Sequence, residues 1–181
     1  MAKLDSPERS KILPPEDILR AFDLSEGETI VDVGAGIGFF SFPAASMVGP
    51  SGRVIAIDTS REMVEELSRR YAGVELKNLE IHISDGYDFG VDSGTADFVL
   101  IAAVLHEVDD KPRFLKEALR VLKPGGRIGI VEWHAIETGR GPRLEDRLKP
   151  AETDELLRGA GFSSIQGKIL NDFFYLVRAA V

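Results

Sequence analysis

The sequence predicts an α/β fold with a mostly parallel sheet, and three observations support this prediction. Short apolar segments rich in β-branched residues, which suit strands buried on both faces, alternate with segments of helical periodicity. The segment Thr29–Phe40 has the pattern of a strand, a glycine turn and the start of a helix, which opens a nucleotide-binding βαβ unit. Acidic residues stand at the ends of later strands, where open α/β sheets bind ligands.

The glycine turn contains Gly34, Gly36 and Gly38, and a helical segment follows at 39–48. A glycine has no Cβ, so its backbone accepts positive φ angles and allows a ligand to approach closely. The helix N-terminus behind the turn offers free N–H groups and a partial positive charge. The turn therefore favours a negative or strongly hydrogen-bonding group. The alternative is a tight strand-to-helix turn without a ligand.

The glycine spacing argues against a dinucleotide. In the pattern G-x-G-x-x-G the last glycine falls on Phe39 or Ser41, and neither is glycine. The run is instead G-x-G-x-G preceded by Asp32, and Asp32–Gly38 resembles the first motif of class I S-adenosylmethionine-dependent methyltransferases. The run Leu122–Arg127 resembles a second signature of that family, although its physical content is only a helix stop and a turn.

The chain order agrees with this resemblance, which covers Pro14 to Val181. It implies a three-layer, Rossmann-like sheet of seven mostly parallel strands with an antiparallel C-terminal hairpin at its edge. We predict strands at 29–33, 53–57, 79–83, 96–101, 127–133, 163–169 and 173–177, and helices at 16–22, 39–48, 60–71, 111–122 and 153–160.

Two acidic residues at predicted strand ends are candidate cofactor ligands. Asp58 ends the second strand about 20 residues after the glycine turn, where a carboxylate accepts hydrogen bonds from ribose hydroxyls. The alternative is a helix N-cap, a role that Thr59 or Ser60 also fits. Asp85 follows the third strand, where the resemblance implies a contact to the adenine amino group, and the alternative is a plain Asp-Gly turn.

The loop after the fourth strand carries His106, which is the candidate general base. Histidine titrates near neutral pH and is able to take a proton from a nucleophile. The alternative is that His106 only orders the loop. His134, at the end of the fifth strand, is a second candidate base or a surface residue. The His106–Asp110 segment matches no strong zinc or calcium pattern, so we predict no metal site.

Taken together, the resemblance implies S-adenosyl-L-methionine as cofactor and S-adenosyl-L-homocysteine as product. The small residues after the fourth strand would pack against the methionine end. The predicted cofactor-binding residues are Asp32, Gly34, Ala35, Gly36, Gly38, Asp58, Thr59, Met63, Asp85, Gly86, Ala102 and Ala103. Among its subgroups the chain resembles the small-molecule type that includes the ubiquinone and menaquinone biosynthesis methyltransferases.

Length and composition limit the alternatives. We predict that residues 1–181 form one domain, with 1–9 frayed and an irregular loop at 134–150 at the ligand edge. The segment at 1–25 is lid-like, and the alternative is a helix that only packs on the sheet. The loop arginines, which include Arg147, would contact an anionic substrate or pair with nearby acidic residues. The formal charge of −8 argues against nucleic acid and leaves a small molecule as the expected partner.

The chain has no cysteine and no apolar run long enough to span a membrane, which fits a cytoplasmic protein. Two other functions stay open at this point. One is a non-catalytic cofactor-binding module, and the other is a nicotinamide-dependent oxidoreductase, against which the missing third glycine and the lack of a Tyr-x-x-x-Lys pair argue.

Overall fold

A computed structural model describes residues 7–181, and a seven-stranded sheet is its centre. The strands are β1 (Thr29–Val33), β2 (Arg53–Asp58), β3 (Leu79–Ile83), β4 (Ala96–Ala102), β5 (Leu122–Trp133), β6 (Ser163–Ile169) and β7 (Phe174–Ala180). The helices are α1 (Pro7–Ile12), α2 (Pro15–Ala21), α3 (Ser41–Val48), α4 (Arg61–Tyr71), α5 (Lys111–Val121) and α6 (Pro150–Ala160). Two short 3₁₀ helices span Leu105–Glu107 and Leu144–Asp146.

The strand order is β3-β2-β1-β4-β5-β7-β6, and the pairs from β3 to β5 are parallel. Strand β7 runs antiparallel to both of its neighbours, β5 and β6, and β6 forms the edge of the sheet. This confirms the predicted fold class. The chain order reverses between β1 and β4, so the loops after these two strands diverge and leave the crevice in which such sheets bind ligands.

The sheet is buried on both faces by two apolar clusters, which makes the predicted three layers. One cluster joins Val31 and Ile101 to Phe114 of α5 and Leu157 of α6. The other joins strand residues of the opposite face to the N-terminal helices and to α3 and α4, through Ile18, Ala44 and Leu67 among others. Burial on both faces explains why β1, β2 and β4 are almost continuously apolar.

Several element boundaries differ from the predictions, and two elements begin three or more residues earlier than predicted. Strand β5 begins at Leu122, because Leu122 already pairs with Ala96 before a register shift brings Arg127 opposite Phe98. Helix α6 begins at Pro150, because proline suits the first turn of a helix. The backbone N–H of Lys149, the residue before that turn, donates to the Glu152 carboxylate at 2.7 Å and so has a hydrogen-bond partner.

The N-terminal segment is ordered where it is described. Residues 1–6 of the segment predicted to be frayed lie outside the described residues, but Pro7–Arg9 belong to α1, so that prediction is wrong for them. Asn171 holds the end of α1 by donating to the carbonyl of Ile12 at 2.6 Å, and the next residue, Leu13, is buried. Among the described helices, none has the length and apolar character needed to cross a membrane.

Candidate active site

The glycine turn after β1 is closed on one side and open on the other. Gly34 and Gly36 have φ angles of +72° and +56°, which disfavour other residues. A Cβ built on Gly34 would lie 2.4 Å from Cγ2 of Val104, so the loops after β1 and β4 touch there. A Cβ on Gly36 would meet no atom within 4 Å. The open side at Gly36 is therefore where a ligand fits against the backbone.

The carboxylate of Asp58 ties the end of β2 to this turn. Its Oδ2 accepts the N–H of Gly36 at 2.8 Å, and its Oδ1 accepts the N–H of Ser60 at 2.8 Å. Ser60 caps α4 by accepting the N–H of Met63 at 3.3 Å, so it is the N-cap among the three predicted candidates. Each oxygen of a carboxylate has two lone pairs, so Asp58 retains acceptor capacity for ribose hydroxyls. The ribose contact stays a prediction.

The loops after β2 and β3 lie side by side, as the predicted adenine contact requires. The N–H of Ser84 donates to the carbonyl of Asp58 at 3.0 Å. Asp85 is exposed, and its Oδ1 accepts the N–H groups of Asp88 at 2.7 Å and Tyr87 at 3.0 Å. These two bonds lower the pKa of Asp85 below its ordinary value. Asp85 thus forms the Asp-Gly turn, and its contact to adenine stays a prediction.

Asp32 lies beneath the glycine turn with 2% of its surface exposed. Ser41, at the start of α3, donates its hydroxyl to the Asp32 carboxylate at 2.6 Å. Burial raises the pKa of Asp32 to about 6, with the charge of Asp58 adding to the rise, while Ser41 and the charge of Arg9 oppose it. A cationic group above the turn would stabilise the ionised form of Asp32 and lower its pKa, since an opposite charge favours the ionised carboxylate.

Replacing Asp32 with asparagine is expected to make the protein more stable at pH 8 by up to about 3 kcal/mol. The wild-type carboxyl has a folded pKa of about 6 against an ordinary 3.8, so its ionisation opposes folding. This cost is absent below pH 3.8, grows as pH rises and is complete above about pH 6. Urea unfolding at pH 4, 5, 6 and 8 measures the effect. Parallel pH curves for wild type and variant would contradict it.

A cavity of about 880 Å³ opens next to the loop after β4. That volume suits a small organic ligand. Its walls come from the end of α1, the loop after β4, the end of β5, the loop at 139–142 and the start of β7. The lining residues include Ile12, Leu13, Ala103, His106, Glu107, Trp133, Arg140 and Phe174. Ala103 has a φ of +56°, an unusual angle for alanine that marks this junction as strained.

His106 is held against a buried carboxylate at the cavity wall. Its Nδ1 lies 2.9 Å from Oε2 of Glu132, which is fully buried, and its backbone N–H donates to Oε1 at 3.1 Å. The side chain of His106 is 5% exposed. Burial alone would lower the pKa of His106, but the hydrogen bond and charge of Glu132, helped by Glu107, outweigh it and raise the pKa above its ordinary value.

His134 occupies a different environment. Its N–H donates to the carbonyl of Phe173 at 2.7 Å, and its ring packs edge-on to Tyr175. Of the two candidate bases, His106 borders the cavity, and His134 is not among its described lining residues. Among residues 7–181, no group of three or more His, Asp or Glu side chains is arranged to hold a metal ion.

Arg147 organises the loop that follows β5. Its buried guanidinium donates to four backbone carbonyls, those of His134, Ile136, Arg140 and Pro142. The prediction that Arg147 contacts an anionic substrate or pairs with acidic neighbours is therefore wrong. A planar group with five donors satisfies several carbonyls at once, which lets a loop with little regular structure hold one shape. Two other loop arginines form ion pairs, Arg143 with Glu145 and Asp146, and Arg140 with Glu8 at 4.0 Å.

Replacing Arg147 with lysine is expected to loosen this loop without unfolding the sheet. Lysine keeps the charge but cannot reach several carbonyls at once. Amide hydrogen exchange at 134–146 should accelerate by about tenfold or more, since each lost bond to a charged donor contributes about 1.5–3 kcal/mol. Arg143→Lys, at an exposed arginine of the same loop, is the matched control. Equal exchange in the two variants would show that Arg147 does not organise the loop.

Comparison with known proteins identifies the family. The model of a family described as a methyltransferase domain matches residues 31–130. The chain belongs to this family. The crystal structure of a SAM-dependent methyltransferase from Aquifex aeolicus superposes with a TM-score of 0.94, at 33% identity, over 99% of this chain and 95% of that one. The resemblance to class I S-adenosylmethionine-dependent methyltransferases is thereby confirmed.

Curated relatives match over part of their length. An arsenite methyltransferase of Halobacterium salinarum is 34% identical over 59% of this chain. A demethylmenaquinone methyltransferase of Oceanobacillus iheyensis is 30% identical over 65% of this chain, in agreement with the predicted likeness to the menaquinone group. This chain covers 27% of the first protein and 49% of the second, so it spans about a quarter to a half of their length.

Proposed function

We infer that this protein transfers a methyl group from S-adenosylmethionine to a small molecule. The observation that carries this inference is the adjacency of two sites at one sheet edge. The glycine turn, which is open at Gly36 and hydrogen-bonded to the Asp58 carboxylate, suits the cofactor. The 880 Å³ cavity beside Ala103 and His106 suits an acceptor. Ala103 belongs to both sites, because it is a predicted cofactor contact and also lines the cavity.

The residues at the turn fit the cofactor. Gly36 leaves space against the backbone, Asp58 has lone pairs for the ribose, and Asp32 is a buried carboxyl that a cationic ammonium would stabilise. Asp85 and Gly86, on the neighbouring loop, would contact the adenine. When bound, the cofactor supplies a sulfonium methyl group with a good leaving group already in place. The protein's main tasks are then alignment and exclusion of water, which contribute about 7–11 kcal/mol at best.

Two segments would exclude water by covering the cavity. Helix α1 and the loop at 134–150 both line it, and they approach each other where Arg140 lies 4.0 Å from Glu8. Arg9 of α1 also stacks on the ring of Phe39, 4.2 Å from its centroid, just after the glycine turn. These contacts support the assignment of 1–25 as a lid over the site and of 1–181 as one functional domain.

Isothermal calorimetry tests the cofactor assignment. We expect S-adenosylmethionine and S-adenosylhomocysteine to bind and NAD not to bind, because the glycine turn lacks the spacing for a pyrophosphate. Binding of NAD alone would reject the proposal in favour of an oxidoreductase. Binding of the cofactor with no turnover on any pool of small molecules would favour a non-catalytic module. We also propose a cytoplasmic location, supported by the absence of cysteine.

A further inference from the structure

We propose that the acceptor is an aromatic hydroxyl compound, that His106 removes its proton and that Glu132 positions His106 for this task. The proposal rests on the methyltransferase function inferred above and adds the chemical class of the acceptor. Two features of the described residues support it, the His106–Glu132 pair and the aromatic wall of the cavity. In addition, a hydroxyl acceptor needs a base to remove its proton.

The pair fixes which nitrogen of His106 acts. Glu132 accepts from Nδ1 of His106 and from the backbone N–H groups of His106 and Trp133, at 2.9, 3.1 and 3.1 Å. With a proton held on Nδ1, the neutral ring presents the lone pair of Nε2. Nε2 lies 3.6 Å from Oε1 of Glu107, and both residues line the cavity. Both residues therefore belong to the cavity wall, and Nε2 is the ring nitrogen on the side of Glu107.

The surrounding charges suit a base that works near neutral pH. Glu132 on β5 and Glu107 on the 3₁₀ helix favour the protonated ring, and Lys111 on α5 opposes it. Burial opposes protonation as well, but the two carboxylates outweigh it and raise the pKa of His106 above its ordinary value. Such a group takes a proton from a weak acid and then releases it to solvent.

The cavity wall suits a planar apolar ring. Trp133 and Phe174 lie side by side in it, with ring centroids 4.3 Å apart, and Ile12 and Leu13 from α1 add aliphatic surface. A Cβ on Gly141 would lie 2.7 Å from the Trp133 ring, so the loop that Arg147 organises packs directly on this indole and holds it in place. Aromatic side chains fixed in this way favour stacked or edge-on aromatic ligands.

A hydroxyl is the nucleophile that needs this base most. A phenolic hydroxyl has a pKa near 10, whereas a thiol near 8.5 is partly ionised at neutral pH without help. The acceptor oxygen gives its proton to Nε2 of His106 and forms a bond to the methyl carbon. The bond between that carbon and sulfur breaks, and its electron pair stays on sulfur. The products are a methyl ether, neutral S-adenosylhomocysteine and a proton that His106 passes to water.

Imidazole NMR of the 181-residue chain tests the pair without any turnover. The chain has three histidines, so His82 and His134 serve as internal references. We expect Glu132→Gln to move the titration of His106 to lower pH and to leave the other two unchanged. Glu80→Gln is the matched control, because Glu80 lies 3.5 Å from another histidine, His82, and its loss should leave the titration of His106 unchanged. An unchanged His106 titration in Glu132→Gln would overturn the positioning role.

Turnover on a matched set of acceptors tests the acceptor class. S-adenosylhomocysteine release is measured with 1-naphthol, 2-naphthalenethiol, 1-naphthylamine and, as the compound without a nucleophile, naphthalene. We expect release with 1-naphthol that rises with pH as His106 loses its proton. His106→Ala should lower kcat by about 10²-fold or more. Both His106→Ala and Glu132→Gln should leave the affinity for S-adenosylmethionine unchanged by calorimetry.

The outcomes separate this proposal from the function beneath it. Turnover of only the thiol or the amine, or of no compound while the cofactor binds, would overturn the acceptor class and leave the cofactor assignment standing. Equal kcat for wild type and His106→Ala on 1-naphthol would remove His106 as the base. Failure of S-adenosylmethionine to bind would instead overturn the methyltransferase function itself.

Discussion

Replacing Asp58 with alanine is expected to weaken S-adenosylmethionine binding by about 1–3 kcal/mol, or roughly fivefold to 150-fold. Two ribose hydroxyls would lose their acceptor. In addition, the N–H of Gly36 would lose the carboxylate that holds it at 2.8 Å, so the turn would no longer be fixed for the ligand. Isothermal calorimetry with S-adenosylmethionine at constant pH and salt measures the loss.

A control variant distinguishes the ribose contact from a general loss of a carboxylate. Asp97 is partly buried, accepts the backbone N–H of Thr29 at 2.9 Å and lies near the start of β4, at the opposite end of the sheet. Asp97→Ala should destabilise the fold without changing cofactor affinity once the protein is folded. If Asp58→Ala and Asp97→Ala bound the cofactor equally well, Asp58 would be only a structural link between β2 and the turn.

Replacing Gly34 with alanine is expected to lower the free energy of unfolding by about 2–5 kcal/mol. The φ angle of +72° costs an L-residue about 1–2 kcal/mol. The new Cβ would also lie 2.4 Å from Cγ2 of Val104, and forcing such a contact costs about 1–3 kcal/mol. Valine is branched at Cβ and has few rotamers, so it cannot move aside easily. Urea denaturation gives the free energy.

A second substitution separates the two causes. Val104→Ala removes the methyl groups that the new Cβ would meet. In the Val104→Ala background, Gly34→Ala should therefore lower the free energy of unfolding only by the cost of the positive φ angle. Gly36→Ala is the comparison for backbone strain alone, because its φ is +56° and a Cβ there would meet no atom within 4 Å. Equal destabilisation by the Gly34 and Gly36 variants would show that the contact with Val104 contributes nothing.

Much of the fold was predictable because the decisive signals are local. Strands β3 and β6 have the predicted limits at 79–83 and 163–169, since a run of alternating or apolar residues between turn residues determines a strand. The N-cap of α4 is one of the three predicted candidates, Ser60, because a cap depends on a side chain and a backbone N–H three residues apart. The predicted start of β5 is wrong because local signals do not show which residues pair across strands. The pairing of Leu122 with Ala96 depends on another strand.

The contacts within the candidate site were less predictable. Nothing near His106 in the sequence indicates Glu132, which lies 26 residues away and reaches His106 only because β4 and β5 are neighbours. The one available signal was an acidic residue inside an otherwise apolar strand, which a buried position allows only with a partner. The sequence around Arg147 predicts a contact with an anionic substrate or with acidic neighbours, whereas the backbone carbonyls that it binds leave no mark in the sequence.

The sequence by itself determined the α/β class, the strand and helix order and the methyltransferase resemblance, because each depends on residue types at short, regular spacing. Only the tertiary structure decided that His106 and not His134 borders the cavity, that Glu132 holds it and that Asp58 clasps the glycine turn. These contacts join separate strand ends at one edge of the sheet. Their partners are set by strand order and register, which arise from packing over the whole chain.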